Sequence, residues 1–220
     1  MAPHRSGFIL AIVLFAVALP RDSSAQMLRG WGVKGGLIAA YQSFTYVSGV
    51  SAPAVPRALR WGFSAGLFVE FLNEGVVSIV LEGAYTQKGR KVTAEEIARS
   101  PLESAYLSGG PEGITPWMGY LSTGLSVKVR AHARGSTPYF FIGPRFDFLV
   151  SRPADPAPLF APFKKNDIGI TVGLGLEISP RRHPALSLEA RWSPGFSRVF
   201  ANDVVGIKNT TADFLVAVWF

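Results

Sequence analysis

The sequence predicts an all-β chain: an eight-stranded antiparallel up-and-down transmembrane β-barrel with short periplasmic turns and long outer loops. Apolar and polar residues alternate with period two in eight segments, which is the pattern of β-strands. Short and long connectors alternate between these segments, as they do in barrels of the bacterial outer membrane. The 220 residues are 48% hydrophobic and 17% charged, whereas a soluble domain is about 25% charged.

The N-terminus has the organisation of a secretory signal peptide. A basic start precedes an uninterrupted apolar run over 8–19, and small residues follow up to Ala25. We expect cleavage after Ala25, which divides the chain into a signal peptide, 1–25, and an outer-membrane β-barrel domain, 26–220. A membrane anchor is the alternative, but the run is shorter than the ~20 residues that a spanning helix needs.

The eight predicted strands follow one another along the mature chain. They cover residues 31–41, 59–71, 76–88, 120–130, 139–150, 167–178, 186–193 and 213–220. In each strand one set of alternate positions is mostly apolar, and the other holds glycine, hydroxyl and charged residues. The apolar sets begin, in chain order, at Trp31, Leu59, Val77, Leu121, Phe140, Ile168, Leu186 and Phe214.

Connector lengths predict the topology. The short connectors are 73–75, 131–137 and 179–184, and the long ones are 42–58, 89–117, 151–166 and 194–210. Because every second connector is long, the long ones all fall at one end of the barrel. Outer-membrane barrels have short periplasmic turns and longer outer loops, so both termini are expected on the periplasmic side.

The two faces of the strands differ in chemistry, but alternation alone does not say which one faces inward. A soluble barrel that carries an apolar ligand in its interior stays an alternative. Two features favour the membrane barrel. Charges on the polar face are balanced: Lys34, Arg60, Lys128, Arg130, Arg145 and Arg191 oppose Glu70, Glu82, Asp147, Glu177, Glu189 and Asp213. Aromatic residues cluster near strand ends, as in membrane-interface girdles: Trp31, Tyr41, Trp61, Phe71, Tyr85, Trp117, Tyr139, Phe148, Trp192 and Trp219.

The interior is predicted to be filled. Eight strands enclose a space just wide enough for side chains, so the charged residues are expected to pair with one another rather than line a wide pore. Pro144 lacks a backbone donor, and a closed barrel has no edge strand, so we predict a β-bulge there.

Several segments resemble the outer membrane protein β-barrel domain family typified by PorT-like proteins. Residues 32–37 (GVKGGL) are similar to its opening strand, and 81–89 (LEGAYTQKG) to its third. Residues 138–144 (PYFFIGP) match its PYxxxGP motif, and 188–192 (LEARW) resemble a later strand. The resemblance implies insertion by the barrel assembly machinery through the C-terminal strand. It implies no common ligand, although some members are linked to protein secretion.

No residues stand out as a reaction centre. The chain has no cysteine, and its mature histidines, His132 and His183, fall in short connectors. The fragment Gly173-x-Gly175 is interpreted as lumen packing, and the pairs Arg145/Asp147 and Glu189/Arg191 as interior salt bridges. We therefore predict no enzyme and no catalytic, cofactor-binding or metal-binding residue. A lipid-modifying enzyme of the outer membrane is the alternative function.

The long connectors are the predicted interaction surfaces of a structural or interaction barrel, with an accessory role in envelope or secretion processes. In 89–117 a capping-box pattern at 93–96 predicts a short helix at about 94–100, and 151–166 is stiffened by prolines. The expected partners are outer-membrane lipids, the assembly machinery and a protein at the outer loops. Without Arg5, Arg21 and Asp22 the mature chain has 20 basic and 14 acidic residues, an excess that suits anionic headgroups, and export argues against nucleic acid. We expect a monomer.

Overall fold

The computed structural model of the protein describes residues 28–46, 59–72, 76–89, 117–131, 136–151, 164–178, 184–201 and 205–220. The strands are β1 (Leu28–Tyr46), β2 (Arg60–Phe71), β3 (Val77–Gly89), β4 (Trp117–Arg130), β5 (Ser136–Ser151), β6 (Asn166–Ile178), β7 (Ala185–Pro194), β8 (Phe200–Ala201) and β9 (Val205–Trp219). These ranges contain no helix that could cross a membrane. The predicted signal peptide and the predicted helix at 94–100 lie outside them.

The strands form one closed antiparallel barrel. Each strand from β1 to β6 pairs with the next, β7 pairs with β9, and β9 pairs back with β1. The two-residue β8 pairs with β9 beside this ring. The predicted eight-stranded up-and-down barrel is therefore confirmed, with β8 as an addition.

The two ends of the barrel are distinct. The connectors β2–β3, β4–β5 and β6–β7 lie at one end, together with the start of β1 and the end of β9. We call this the turn end, and the opposite end, where the four longer connectors lie, the outer end. At the turn end the N–H of Phe220 donates to the Trp31 carbonyl at 2.8 Å, which continues the β1–β9 pairing to the last residue.

The apolar face of every barrel strand points outward. Leu174 in β6 is 64% exposed, whereas Thr171 in the same strand is 4% exposed. The buried side chains are mostly polar or charged, and most large apolar side chains are on the outside. This orientation is opposite to that of a soluble carrier, whose apolar side chains would line the interior, so that alternative is wrong.

Two of the predicted girdle aromatics face the interior instead. Tyr139 and Trp219 are 4% and 3% exposed, because they occupy the polar register of β5 and β9. In that position the Tyr139 hydroxyl donates to Glu189 at 2.9 Å, and the Arg29 guanidinium lies over the Trp219 ring. Other predicted girdle residues are exposed on the outer surface: Trp31, Trp61, Phe148 and Trp192.

β1 and β9 extend further toward the outer end than predicted. Their pairing runs from Gly32 and Trp219 to Tyr46 and Val205. The prediction began the last strand at 213 because the residues before it, Asn209-Thr210-Thr211, lack apolar alternation. Beyond the apolar belt a strand has no lipid to face, so the pattern that identifies strands ends before the strand does.

The predicted bulge at Pro144 is wrong. The strand keeps one register across the proline on both sides, and neither neighbour gains a residue. Instead, the β4–β5 ladder is interrupted at Leu125 and Ser126, which stand opposite Pro144 and Gly143. Gly143 allows this close approach, since an added Cβ would overlap the Leu125 carbonyl oxygen and lie 2.6 Å from the Ser126 Cα.

Candidate functional site

The chemistry of the protein is concentrated inside the barrel. All twelve charged residues predicted on the polar face lie there, with Arg60 at the outer rim. Three further interior charges, Arg29, Lys88 and Asp167, were not counted in the sequence analysis. Lys88 and Asp167 lie at inward positions of the predicted strands 76–88 and 167–178, so a count of every inward charge finds them. Arg29 lies before the first predicted strand. Apart from Arg60 and Asp213, the interior charges form three layers, which we call the turn-end, middle and outer layers.

The turn-end layer joins three cations to two carboxylates. Glu70 and Glu177, at most 1% exposed, lie between Arg29, Lys128 and Arg130. Lys128 Nζ is 2.6 Å from Glu177 Oε1 and 3.1 Å from Glu70 Oε2. Arg130 contacts both carboxylates, and Arg29 bridges them at 2.7 and 3.2 Å. These side chains come from β1, β2, β4 and β6, so the layer crosses the lumen.

The middle layer is centred on Arg191. Its Nη1 and Nη2 atoms donate to the two Glu82 oxygens at 2.7 and 3.0 Å, a bidentate pair across the barrel from β7 to β3. Its Nε donates to Glu189 at 2.9 Å. Lys34 Nζ lies 2.7 Å from Glu82 and 3.6 Å from Glu189. The predicted Glu189/Arg191 salt bridge is thus confirmed as part of a larger network.

The outer layer surrounds Lys88, which is 0% exposed. Lys88 pairs with Asp147, and Arg145 Nε donates to the same carboxylate at 2.9 Å, which confirms the predicted Arg145/Asp147 pair. Asp167 lies beside them and accepts hydrogen bonds from Ser197 at 2.6 Å and Asn209 at 3.4 Å. This layer therefore combines ion pairs with neutral hydrogen bonds.

Inward glycines make room for these networks. The rings of Tyr139 and Phe141 on β5 lie over Gly175 and Gly173 on β6, where an added Cβ would overlap the ring carbons. The Arg191 guanidinium lies 4.9 Å from the Phe141 ring centroid. Gly173-x-Gly175 is therefore lumen packing, as predicted.

Small cavities, lined by both polar and apolar side chains, separate the layers. One, between the middle and outer layers, is lined in part by Arg145 and Asp213. Each of these has one buried polar atom with no hydrogen-bond partner among the described residues: Arg145 Nη2 and Asp213 Oδ1. Ordered water ordinarily satisfies such atoms. The interior is thus a stack of salt-bridged layers with room for water between them.

His132 and His183 lie outside the described residues, in the β4–β5 and β6–β7 connectors. Among the described residues no group of three His, Cys, Asp or Glu side chains could hold a metal ion. The interior carboxylates are instead engaged mainly with Lys and Arg.

Comparison with solved structures finds small outer-membrane barrels. OprG from Pseudomonas aeruginosa aligns at a TM-score of 0.50 and 10% identity, covering 90% of this chain and 99% of that one. Neisserial surface protein A aligns at 0.47 and 13% identity, covering 86% and 97%. Ail of Yersinia pestis aligns at 0.42 and 16% identity, covering 88% and 100%. At such identities the likeness concerns the fold alone.

Sequence comparison gives the family. No curated protein matches the chain significantly. A family model described as outer membrane protein beta-barrel domain matches residues 24–201, from before β1 to the end of β8. This match covers most of the chain, and the closed barrel with its apolar exterior agrees with it. The chain therefore belongs to the outer membrane protein beta-barrel domain family and is an integral protein of the outer membrane.

Proposed function

We propose that this protein is a non-conducting, non-enzymatic barrel that acts through the surface it presents at its outer end, in a structural or interaction role. The observation that carries the proposal is the filling of the lumen. Three layers of buried ion pairs occupy it; the turn-end and middle layers join strands on different sides of the barrel, and the outer layer joins β3 to β5. Because side chains fill the interior, the outer connectors are the surface that is left to contact other molecules.

The packing supports a closed lumen. In the turn-end layer two carboxylates hold three cations, so moving any one side chain aside would separate buried charges. Breaking a buried pair by removing one partner costs about 3–5 kcal/mol. A spontaneous opening through all three layers is therefore strongly unfavourable.

A non-enzymatic role is the second part of the proposal. Acyl hydrolysis by the familiar nucleophilic route needs a histidine or equivalent base beside a nucleophile. The topology assigns both mature histidines to turn-end connectors, on the side away from the outer leaflet.

The proposed partners are a protein of the envelope or surface at the outer connectors, outer-membrane lipids around a monomeric barrel, and the assembly machinery during insertion. An accessory role in envelope or secretion processes falls within this proposal.

Crosslinking in intact envelopes tests the interaction role. A photoreactive residue at Tyr106, in the connector between β3 and β4, is expected to give a discrete protein adduct. The matched control places the same group at Leu174, on the outward apolar face. Protein adducts from Leu174 alone, or from neither site nor any other outer connector, would contradict the proposal.

Reconstitution tests the other two parts. In planar bilayers the purified barrel is expected to give no stepwise conductance under conditions in which a general porin does. Incubated with outer-membrane lipids, it is expected to release no fatty acid. Regular conductance steps would overturn the closed lumen, and turnover that depends on protein concentration would establish the lipid-modifying enzyme instead.

A further inference from the structure

Charges are segregated between the inside and the outside of the barrel. In the part of the chain that the structure describes, every carboxylate side chain lies in the lumen. The charged side chains that remain outside the lumen are basic, and four of them lie at the outer end: Lys164, Lys165, Arg198 and Lys208. We call these four residues the rim cluster.

Backbone hydrogen bonds bring the rim cluster together. The N–H of Lys164 donates to the Val199 carbonyl at 2.7 Å, which places the segment just before β6 beside the residue that follows Arg198. The N–H of Val199 donates to Ile207 at 2.8 Å, which places the same segment beside Lys208. Three separate stretches of chain thus contribute cations to one part of the rim.

The rim cluster lies next to the end of the apolar belt. Ile168 is 47% exposed and Phe196 is 58% exposed, and the N–H of Phe196 donates to the Ile168 carbonyl at 2.7 Å. Lys164 is exposed, precedes Ile168 by four residues in the same outward register, and therefore lies at most roughly 14 Å from it along the chain. That distance separates acyl chains from headgroups, so the cations lie at headgroup depth when the belt is in lipid.

We propose that the rim cluster binds the phosphate groups of a phosphorylated lipid in the outer leaflet, with the acyl chains against Ile168 and Phe196. Lys and Arg form charge-assisted hydrogen bonds to phosphate, and the guanidinium of Arg198 can do so with two donors. The apolar surface directly below the cations favours a lipid over free phosphate. The proposal concerns the rim and does not depend on the closed lumen or on a partner at the outer connectors.

Lipid retention by the full-length mature barrel tests the site. Folded protein in detergent is titrated with diphosphoryl lipid A and with the same lipid after removal of its phosphates, and bound lipid is measured by native mass spectrometry. The variant Lys164→Gln/Lys165→Gln/Arg198→Gln is expected to bind the phosphorylated lipid at least tenfold more weakly than the wild type. The dephosphorylated lipid is expected to bind both proteins equally weakly.

The matched control is Arg181→Gln/Arg182→Gln, which removes charge from the β6–β7 connector at the turn end. It is expected to bind like the wild type. Equal binding by the rim variant and the wild type would overturn the proposal, as would an equal loss in the control or full competition by inorganic phosphate. If the triple variant does not show the folded gel mobility, Lys165→Gln and Arg198→Gln are measured singly, and wild-type binding by both would also overturn it.

Discussion

At the residue scale, the lumen depends on shared carboxylates. Glu70 contacts Arg29, Lys128 and Arg130, and among the described residues Glu177 alone provides a second carboxylate to the same cations. Buried charges lose their hydration, and these contacts offset that loss only while both signs are present. The two glutamates therefore matter more to stability than an interior carboxylate without an ion pair.

Glu70→Gln is expected to destabilise the folded barrel by about 3–5 kcal/mol, because it leaves three buried cations to one carboxylate. The measurement is urea unfolding in lipid vesicles, followed by gel mobility. Asp213→Asn is the matched control, since Asp213 is buried but makes no ion pair with any described residue. Similar unfolding midpoints for the two variants would show that the ion pairs of Glu70 contribute little.

At the element scale, β4 and β5 approach closely beside Pro144. Gly143→Ala is expected to destabilise the barrel by about 1–3 kcal/mol, because the added methyl group overlaps the β4 backbone. Gly83→Ala is the control, since an added Cβ there meets nothing within 4 Å. The same unfolding assay compares them. If Gly143→Ala is as stable as Gly83→Ala, the glycine is not needed for this approach.

The last strand provides a second test at this scale. Phe220 forms two backbone hydrogen bonds with Trp31, and the two rings lie 5.1 Å apart, so this residue completes the seam between β9 and β1. Deleting Phe220 is expected to lower the amount of assembled barrel in the outer membrane without reducing export. Phe214→Ala, at another exposed aromatic position of β9, is the control. Equal assembly of all three proteins would contradict a role for the terminal residue.

The period-two pattern predicted most of the architecture because each barrel strand has one face against lipid and one against a polar lumen. The pattern did not predict the parts of the strands that lie beyond the lipid, where both faces are polar or the strand is very short. β8 has only two residues, and the outer part of β9 lies beyond the apolar belt. The layered networks could not be predicted, because alternation gives the face of Arg191 but not the height at which Glu82, on a distant strand, meets it. The Pro144 prediction failed because a neighbouring glycine gave the backbone a second way to accommodate the missing donor.

At the scale of the whole molecule, an apolar exterior and a salt-bridged interior define a barrel that is stable only in a lipid-like environment. Envelope fractionation is expected to place the mature chain in the outer membrane. An unheated gel sample is expected to migrate differently from a boiled one, since the closed barrel resists unfolding by detergent. Recovery in the soluble periplasmic fraction with no change on heating would contradict the assignment.

The central claim is that one face of each strand meets lipid and the other a filled lumen, and β6 tests it most directly. Thr171, whose hydroxyl lies 3.0 Å from that of Ser193, is inside, and Leu174 is outside. Single cysteines at these positions are reacted with a bulky water-soluble maleimide and with a lipid-soluble one, in folded protein in vesicles. Thr171→Cys is expected to react slowly with both and fully after denaturation, and Leu174→Cys rapidly with the lipid-soluble reagent alone. Rapid water-soluble labelling of folded Thr171→Cys, with Leu174→Cys protected from both reagents, would contradict the account.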